Sequence, residues 1–171
     1  KIMTIKNVTF IGLGVMGYPM AGHLKNNNFN VTVFNRTKSK AEKWINQYNG
    51  ILENSPGEAS KNADAVFICV GKDEDLKQVM EGKNGILENI KPNSIIVDHT
   101  TASANIAREY HKKCKKLNLH FLDAPISGGQ AGAENGKLSI MIGGDIEPYN
   151  KIINVLESYG KAIELIGSSG S

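Results

Sequence analysis

The sequence has few of the features that mark secreted, metal-binding or membrane-spanning proteins. Its two cysteines, Cys69 and Cys114, are far apart and match no metal or redox spacing. No window approaches the roughly 18 uninterrupted apolar residues that a membrane span requires. Residues 1–6 are basic, but they lack the long apolar stretch and small-residue cleavage site of a secretory signal. We therefore expect a reduced, cytoplasmic compartment and no membrane partner.

Charge and aromatic content give no indication of a nucleic-acid partner. The net charge is +3, and aromatic residues make up 6% of the chain. A basic run spans residues 112–116, but no aromatic side chain is interleaved with it to stack on bases. We interpret this run as the solvated face of a surface helix.

The 171 residues, 40% of them apolar and 22% charged, are typical of one globular domain. Short apolar runs alternate with helical stretches, which predicts a mostly parallel, doubly wound sheet with helices on both faces, the α/β class. The predicted strands are Val8–Ile11, Val31–Phe34, Ala65–Val70, Ile95–Asp98, Phe121–Asp123, Leu138–Ile142 and Ile163–Ile166.

Several helix starts can be read from capping residues. Thr37 is placed to cap a helix that begins near Lys38, and Ser55 precedes a proline at the first helical position. Asp145 is predicted to open a helix that runs to about Tyr159. The longest predicted helix covers residues 102–117.

A glycine-rich motif follows the first predicted strand and opens a helix. The segment Gly12-Leu13-Gly14-Val15-Met16-Gly17 has the pattern GxGxxG. In that position the first glycine makes the tight turn, the second lets the backbone approach a pyrophosphate, and the third allows close packing of helix on strand. Amide groups at the helix start would then face the anion. The motif in this context predicts a Rossmann-type dinucleotide site.

The end of the second strand predicts which dinucleotide is bound. An NAD site usually has an acid about 20 residues after the glycines, where this chain has Asn35-Arg36-Thr37. A guanidinium matches phosphate oxygens, and the neighbouring amide and hydroxyl add neutral donors. We therefore expect NADP(H) in preference to NAD(H). Taken singly, Arg36 could be a solvent-exposed loop arginine and Thr37 a simple helix cap.

A second glycine-rich segment follows the fifth predicted strand. Residues 124–138 are polar and include Ser127, Gly128 and Gly129. From composition alone this segment is either a flexible connector or a place where backbone amides approach a small anion.

The two glycine-rich motifs together resemble the β-hydroxyacid dehydrogenase family, which includes 3-hydroxyisobutyrate dehydrogenase and several semialdehyde reductases. The similarity extends over residues 1–171 and is carried by residues 10–21 and 123–136. The resemblance implies hydride transfer between a nicotinamide and a small 3-hydroxy acid or its semialdehyde. It also implies that Ser127, Gly128 and Gly129 bind the substrate carboxylate, and that Val70 and Thr101 lie at the nicotinamide. From the residues alone, Thr101 could equally cap a helix.

The same resemblance implies that the proton donor is a lysine beyond Ser171. Lys137 and Lys161 do not occupy the matching position, and a strand-end histidine such as His99 is more often a packing or capping residue. We therefore expect residues 1–166 to be the dinucleotide-binding domain and residues 167–171 to begin the connection to an all-helical C-terminal domain. This chain should then bind cofactor but turn over substrate poorly. Homo-oligomers are expected only with the C-terminal domain present.

Three alternatives stay open at this point. A 6-phosphogluconate dehydrogenase-like enzyme shares the Asn-Arg-Thr and Ser-Gly-Gly segments, but residues 98–101 differ from the Gly-Gly-Asn-Ser type of segment in that family. An imine reductase has a similar cofactor loop. A non-catalytic NADP-binding module would lack the lysine altogether.

Overall fold

A computed structural model describes residues 4–171, which form a single nine-stranded sheet with helices on both faces. The strand order is β3-β2-β1-β4-β5-β6-β8-β7, with β9 paired to β8. The strands are β1 (Asn7–Ile11), β2 (Asn30–Phe34), β3 (Ile51–Leu52), β4 (Ala65–Ile68), β5 (Ile95–Asp98), β6 (His120–Asp123), β7 (Ile126–Ser127), β8 (Leu138–Gly143) and β9 (Gly160–Gly167). The helices are α1 (Gly17–Asn26), α2 (Lys38–Tyr48), α3 (Pro56–Ser60), α4 (Asp73–Glu81), α5 (Ala104–Lys116), α6 (Gly129–Asn135) and α7 (Ile146–Leu156).

Strands β1 to β6 are parallel to one another, so their carboxyl ends lie at the same edge of the sheet. The chain reverses at β8, which is antiparallel to β6 through Asp123 and Gly143 and antiparallel to β7. Strand β9 runs parallel to β8. The predicted doubly wound, mostly parallel α/β fold is therefore confirmed.

The sheet separates two hydrophobic cores, which is why its inner strands are apolar on both faces. In β4, Ala65 and Phe67 pack into one core with side chains of α1, α2, α6 and α7. Val66 and Ile68 alternate with them and pack into the other core with side chains of α3, α4 and α5. Because successive residues of a strand point to opposite faces, this unbroken apolar run serves both layers.

The helix starts agree in part with the sequence predictions. The Ser55 hydroxyl accepts from the Glu58 amide at 3.0 Å, so Ser55 caps α3 as predicted. Thr37 and Asp145 precede α2 and α7, but neither side chain makes a capping hydrogen bond. The Asp145 carboxylate instead contacts His111 at 3.2 Å, which removes it from the helix terminus.

The structure differs from the sequence predictions or adds to them in three places. Helix α7 ends at Leu156 rather than near Tyr159, because Gly160 already begins the edge strand β9. The segment 124–138, which the sequence left open between a flexible connector and an anion-binding stretch, contains both β7 and α6. The two-residue strand β3 was missed because it is too short to give a periodic signal.

The basic run at residues 112–116 lies in the last turns of α5, which confirms its interpretation as the solvated face of a surface helix. Cys114 is fully buried, whereas Lys112, Lys115 and Lys116 are exposed. Within residues 4–171, no helix combines the length and apolarity that crossing a membrane would need. The same residues bring no three His, Cys, Asp or Glu side chains together in a way that could hold a metal ion.

Candidate dinucleotide site

A cleft of about 380 Å³ opens at the carboxyl ends of β1, β2 and β4. Between β1 and β4 the order of strands reverses direction, which is the point where open α/β sheets bind ligands. The cleft is lined by Ile11, Gly12, Gly14, Val15, Met16, Gly17, Phe34, Asn35, Arg36, Cys69, Val70, Gly71, Asp75, Gln78 and Val79. The structure therefore brings most of the predicted cofactor residues together in one cavity.

The three motif glycines face three different surroundings. Gly12 has φ +100°, and a Cβ there would overlap the carbonyl oxygen of Cys69. A Cβ at Gly17 would overlap the Gly12 carbonyl and lie 3.0 Å from the Phe10 ring. Gly14 differs, because a Cβ there would meet nothing within 4 Å. The first and third glycines are thus required by packing, while the second leaves open space beside the backbone in the cleft.

The first turn of α1 faces this cleft without a side-chain cap. Its N-cap residue is Met16, which makes no side-chain capping hydrogen bond. The first N–H groups of a helix have no intrahelical acceptors and carry the positive end of the helix dipole. Val15, Met16 and Gly17 therefore present an electropositive backbone surface to the cleft.

Asn35 connects the glycine loop to the end of β2. Its Oδ1 accepts from the Leu13 amide at 2.8 Å, and its Nδ2 donates to the Thr37 carbonyl at 2.9 Å. Leu13 itself is fully buried. Both ends of the Asn35 amide are thus engaged by the protein, a positioning role that sequence analysis did not foresee.

Arg36 extends from this turn into solvent at the rim of the cleft. Its side chain is 90% exposed, and its Nη1 lies 3.6 Å from Asp75 Oδ1. An exposed ion pair at this distance contributes little to stability, so the guanidinium is free to move to another anion. Thr37 is exposed and does not line the cleft.

Helix α4 supplies a wall of the cleft that sequence analysis missed. Asp75, Gln78 and Val79 line it from the first turns of that helix, with Gly71 at the preceding turn. No motif indicates these residues, because their position depends on how α4 packs on β4.

Val70, two residues after the end of β4, lines the cleft and is held by a short chain of hydrogen bonds. Its amide donates to Thr100 Oγ1 at 3.1 Å, and the Thr100 amide donates to Asp98 Oδ1 at 3.0 Å. Burial, together with the nearby Asp123 carboxylate, raises the pKa of Asp98 to about 7. Thr101 follows in the chain but is exposed and does not line the cleft, and Ser103 rather than Thr101 caps α5.

His99 is a buried packing residue, as the sequence suggested. Its Nδ1 lies 2.7 Å from the Ala124 carbonyl and its Nε2 lies 2.7 Å from the Tyr159 hydroxyl. A carbonyl only accepts, so Nδ1 carries the proton and Nε2 accepts from Tyr159. Burial lowers the pKa of His99 to about 4, which keeps the ring neutral near pH 7.

Ser127, Gly128 and Gly129 lie outside the cleft, at the turn between β7 and α6. All three are exposed, and the two glycines have φ +128° and +64°. A Cβ at Gly129 would meet nothing within 4 Å. The helix that follows is joined to α1 by His23, whose Nε2 lies 2.9 Å from the Ala133 carbonyl. This turn is open to solvent on a segment anchored to the helix of the glycine motif.

No lysine lines the cleft within the described part of the chain. The segment after β9 folds back on the sheet edge, where the Gly170 amide donates to the Asp123 carboxylate at 3.2 Å. Burial raises the pKa of Asp123 as well.

Comparison with known proteins agrees with this geometry. Residues 7–167 match the family described as the NAD binding domain of 6-phosphogluconate dehydrogenase. An uncharacterized oxidoreductase of Shewanella frigidimarina is 51% identical over 164 residues, covering 96% of this chain and 56% of that protein.

Solved structures extend the comparison. The 3-hydroxyisobutyrate dehydrogenase of Mycobacterium tuberculosis, with L-serine, has a TM-score of 0.90 at 30% identity and covers 98% of this chain and 56% of that one. Psf3, in complex with NADP+ and 2-OPP, has a TM-score of 0.91 at 27% identity and covers 96% of this chain and 58% of that one. This chain therefore spans little more than half the length of these relatives.

Proposed function

We propose that this chain, which belongs to the β-hydroxyacid dehydrogenase family as an NAD-binding domain of the 3-hydroxyisobutyrate dehydrogenase type, holds NADP(H). The bound nucleotide would serve hydride transfer to or from a small 3-hydroxy acid or its semialdehyde. Similarity to 3-hydroxyisobutyrate dehydrogenase over nearly the whole chain supports this function over a 6-phosphogluconate dehydrogenase-like one.

The residues of the cleft fit a dinucleotide. The open space beside Gly14 would admit a pyrophosphate, and the backbone N–H groups of Val15, Met16 and Gly17 would donate to it. Because Gly12 and Gly17 have no side chain, the turn after β1 packs closely against the start of α1. This close packing keeps the space beside Gly14 and the N–H groups of the helix start next to each other. This arrangement of bare backbone and helix start is the observation that carries the proposal.

The preference for NADP(H) rests on Arg36. Its guanidinium is exposed at the rim, at the carboxyl end of β2, where a doubly wound fold places the adenosine ribose. A planar guanidinium forms charge-assisted hydrogen bonds with a 2′-phosphate. Asn35 would act by fixing the turn that carries Arg36. We also propose that Thr37, at the same turn, makes a weaker contact with the 2′-phosphate.

The other predicted roles are proposed on the family relationship. The bound nicotinamide supplies the hydride chemistry, and Val70, held through Thr100, would form the surface on which its ring lies. Thr101 would contact the same end from the exposed turn after β5. The exposed amides of Gly128 and Gly129, with the Ser127 hydroxyl, would bind the carboxylate of a small-molecule substrate.

The proton donor and the rest of the enzyme are proposed to lie outside these residues. We propose that residues 1–166 are the cofactor domain, that residues 167–171 begin the connection to a helical domain, and that a lysine there protonates the carbonyl oxygen. Oligomers would form through that second domain.

Calorimetric titration of the protein with NADPH and NADH tests the cofactor proposal. We expect NADPH to bind more tightly, and Arg36→Gln to weaken NADPH by about 10- to 100-fold while changing NADH less than about threefold. Equal affinity for the two nucleotides in the wild-type protein would contradict the proposed preference.

The reaction is tested with the full-length gene product. NADPH oxidation would be followed with glyoxylate, succinic semialdehyde, tartronate semialdehyde and methylmalonate semialdehyde. Turnover of at least one is expected, and Ser127→Ala should raise its KM. Tight NADPH binding with no turnover of any of the four would favour a non-catalytic module.

A further inference from the structure

Asp75 is the acidic side chain nearest to the proposed phosphate-binding arginine in the cleft. It lies in the first turn of α4 and its Oδ1 is 3.6 Å from Arg36 Nη1. The two side chains differ in exposure, 90% for Arg36 and 29% for Asp75. The carboxylate also lies against the turn before α4, because a Cβ at Gly71 would be 2.9 Å from its Oδ2. Asp75 is thus the more enclosed member of the pair and Arg36 the more exposed one.

The three acids of this helix turn have different partners. Asp73 Oδ1 accepts from the Ser103 amide at 3.0 Å, which joins α4 to the start of α5. Glu74 is paired with Lys72 at 3.6 Å, and both side chains are more than 70% exposed. Of the three, Asp75 alone lines the cleft. Its carboxylate is therefore directed at the cofactor site and is not one more charge on a solvated face.

A carboxylate in this position acts against a 2′-phosphate in two ways. It already pairs with the guanidinium that the phosphate would use. Phosphate binding must therefore replace the Asp75 carboxylate as the partner of Arg36. It also repels the phosphate, since two anions that share one guanidinium lie within a few ångströms of each other. A ribose with free hydroxyls carries no such charge, so NAD(H) is not affected in this way.

We propose that Asp75 is a specificity-determining residue that reduces the preference for NADP(H) created by Arg36. The inference rests on the proposed function, since it assumes that the 2′-phosphate binds at Arg36. In the absence of nucleotide, Asp75 is the anion that pairs with the guanidinium at the rim. With the phosphate bound, it lowers the affinity, so the cleft accepts NADP(H) without excluding NAD(H).

The test is Asp75→Asn, which keeps the shape of the side chain and removes its charge. Dissociation constants would be measured by calorimetry for NADP+, NAD+, 2′,5′-ADP and 5′-AMP. We expect the variant to bind NADP+ and 2′,5′-ADP about three- to tenfold more tightly, which corresponds to about 0.6–1.4 kcal/mol. Binding of NAD+ and 5′-AMP should change less than twofold. The gain should shrink at high salt, because screening weakens repulsion between exposed charges.

Glu74→Gln is the matched control, since it removes a charge from the same helix turn outside the cleft. It should change all four affinities less than twofold. In an Arg36→Gln background the part of the gain from Asp75→Asn that comes from competition should be lost, because no guanidinium remains to be competed for, and only the part that comes from repulsion should remain. Thermal unfolding of each variant would show that the helix start is intact.

The outcomes separate this inference from the proposed function. If the wild-type protein prefers NADP+ through Arg36 and Asp75→Asn leaves that preference unchanged, the role of Asp75 is wrong and the cofactor proposal stands. Weaker NADP+ binding in Asp75→Asn, or equal gains for NAD+, would likewise overturn it. If wild-type protein and Arg36→Gln bind both nucleotides alike, the cofactor proposal itself fails.

Discussion

The side-chain oxygen of Asn35 accepts a hydrogen bond from the backbone amide of Leu13 at 2.8 Å, across 22 residues of sequence. This contact joins the loop proposed to hold the pyrophosphate to the turn proposed to hold the 2′-phosphate. Since Leu13 is fully buried, its amide has no access to solvent as an alternative partner. This side chain therefore adds to the backbone hydrogen bond from Gly12 to Phe34 in joining the two proposed phosphate sites.

Replacing Asn35 should weaken both nucleotides rather than select between them. Asn35→Ala removes the acceptor for Leu13 and the donor to the Thr37 carbonyl, so the two loops lose their side-chain connection and keep only the backbone bond from Gly12 to Phe34. We expect the affinity for NADPH and NADH to fall together by about 5- to 10-fold, as for one or two neutral hydrogen bonds. Calorimetry with both nucleotides measures this. Asn30→Ala, at the opposite end of the same strand, is the control, and an effect of Asn35→Ala confined to NADPH would contradict the prediction.

The glycines of the motif should separate into structural and binding positions. Gly17→Ala places a methyl group into the Gly12 carbonyl, so we expect a loss of about 2 kcal/mol or more in the free energy of unfolding. Gly14→Ala places the methyl group in open space and should change stability by less than about 1 kcal/mol. The same methyl group would occupy the proposed pyrophosphate position and reduce NADPH affinity at least about 10-fold. Urea unfolding and calorimetry measure the two effects, and a stable Gly17→Ala protein would show that the packing argument is wrong.

Ionisation of Asp98 should lower the free energy of unfolding as the pH rises from about 4 to about 7. Its pKa is raised by burial to about 7, whereas an aspartate in an unfolded chain titrates near 3.9. The folded protein therefore binds more protons between about pH 4 and pH 7, and its free energy of unfolding decreases over that window. Asp98→Asn keeps an oxygen that can accept from the Thr100 amide and removes this dependence. The variant should gain on the order of 2 kcal/mol relative to wild type at pH 8 and little at pH 4.

The measurement is urea unfolding of both proteins from pH 4 to pH 8. His99 contributes with the opposite sign, because its pKa is lowered by burial to about 4 and its contribution is lost as the pH falls below about 6.5. That contribution is common to both proteins and cancels in their difference. A difference that does not change with pH would show that Asp98 is ionised in the folded state throughout the range.

Short elements account for part of what the sequence did not predict. The second glycine-rich segment was left open between a flexible connector and an anion-binding stretch, because glycine and polar residues are typical of loops. Helix α6 and strand β7 form there because each is supported by a neighbour: His23 of α1 holds the end of α6, and Ile126 pairs with Ile140. Such short elements are stabilised by tertiary contacts rather than by their own propensity.

The sequence alone determined the α/β class, the parallel strands β1, β2, β4, β5 and β6, and the position of the glycine motif between a strand and a helix. These features are local, because they follow from the period of apolar residues and from the conformations that glycine permits. Only the tertiary structure decided that Asn35 accepts a hydrogen bond from Leu13 and that Tyr159 donates one to His99. It also decided that Asp75 lies beside Arg36. Each of these contacts joins segments that are distant in sequence, and their geometry depends on how the helices pack on the sheet.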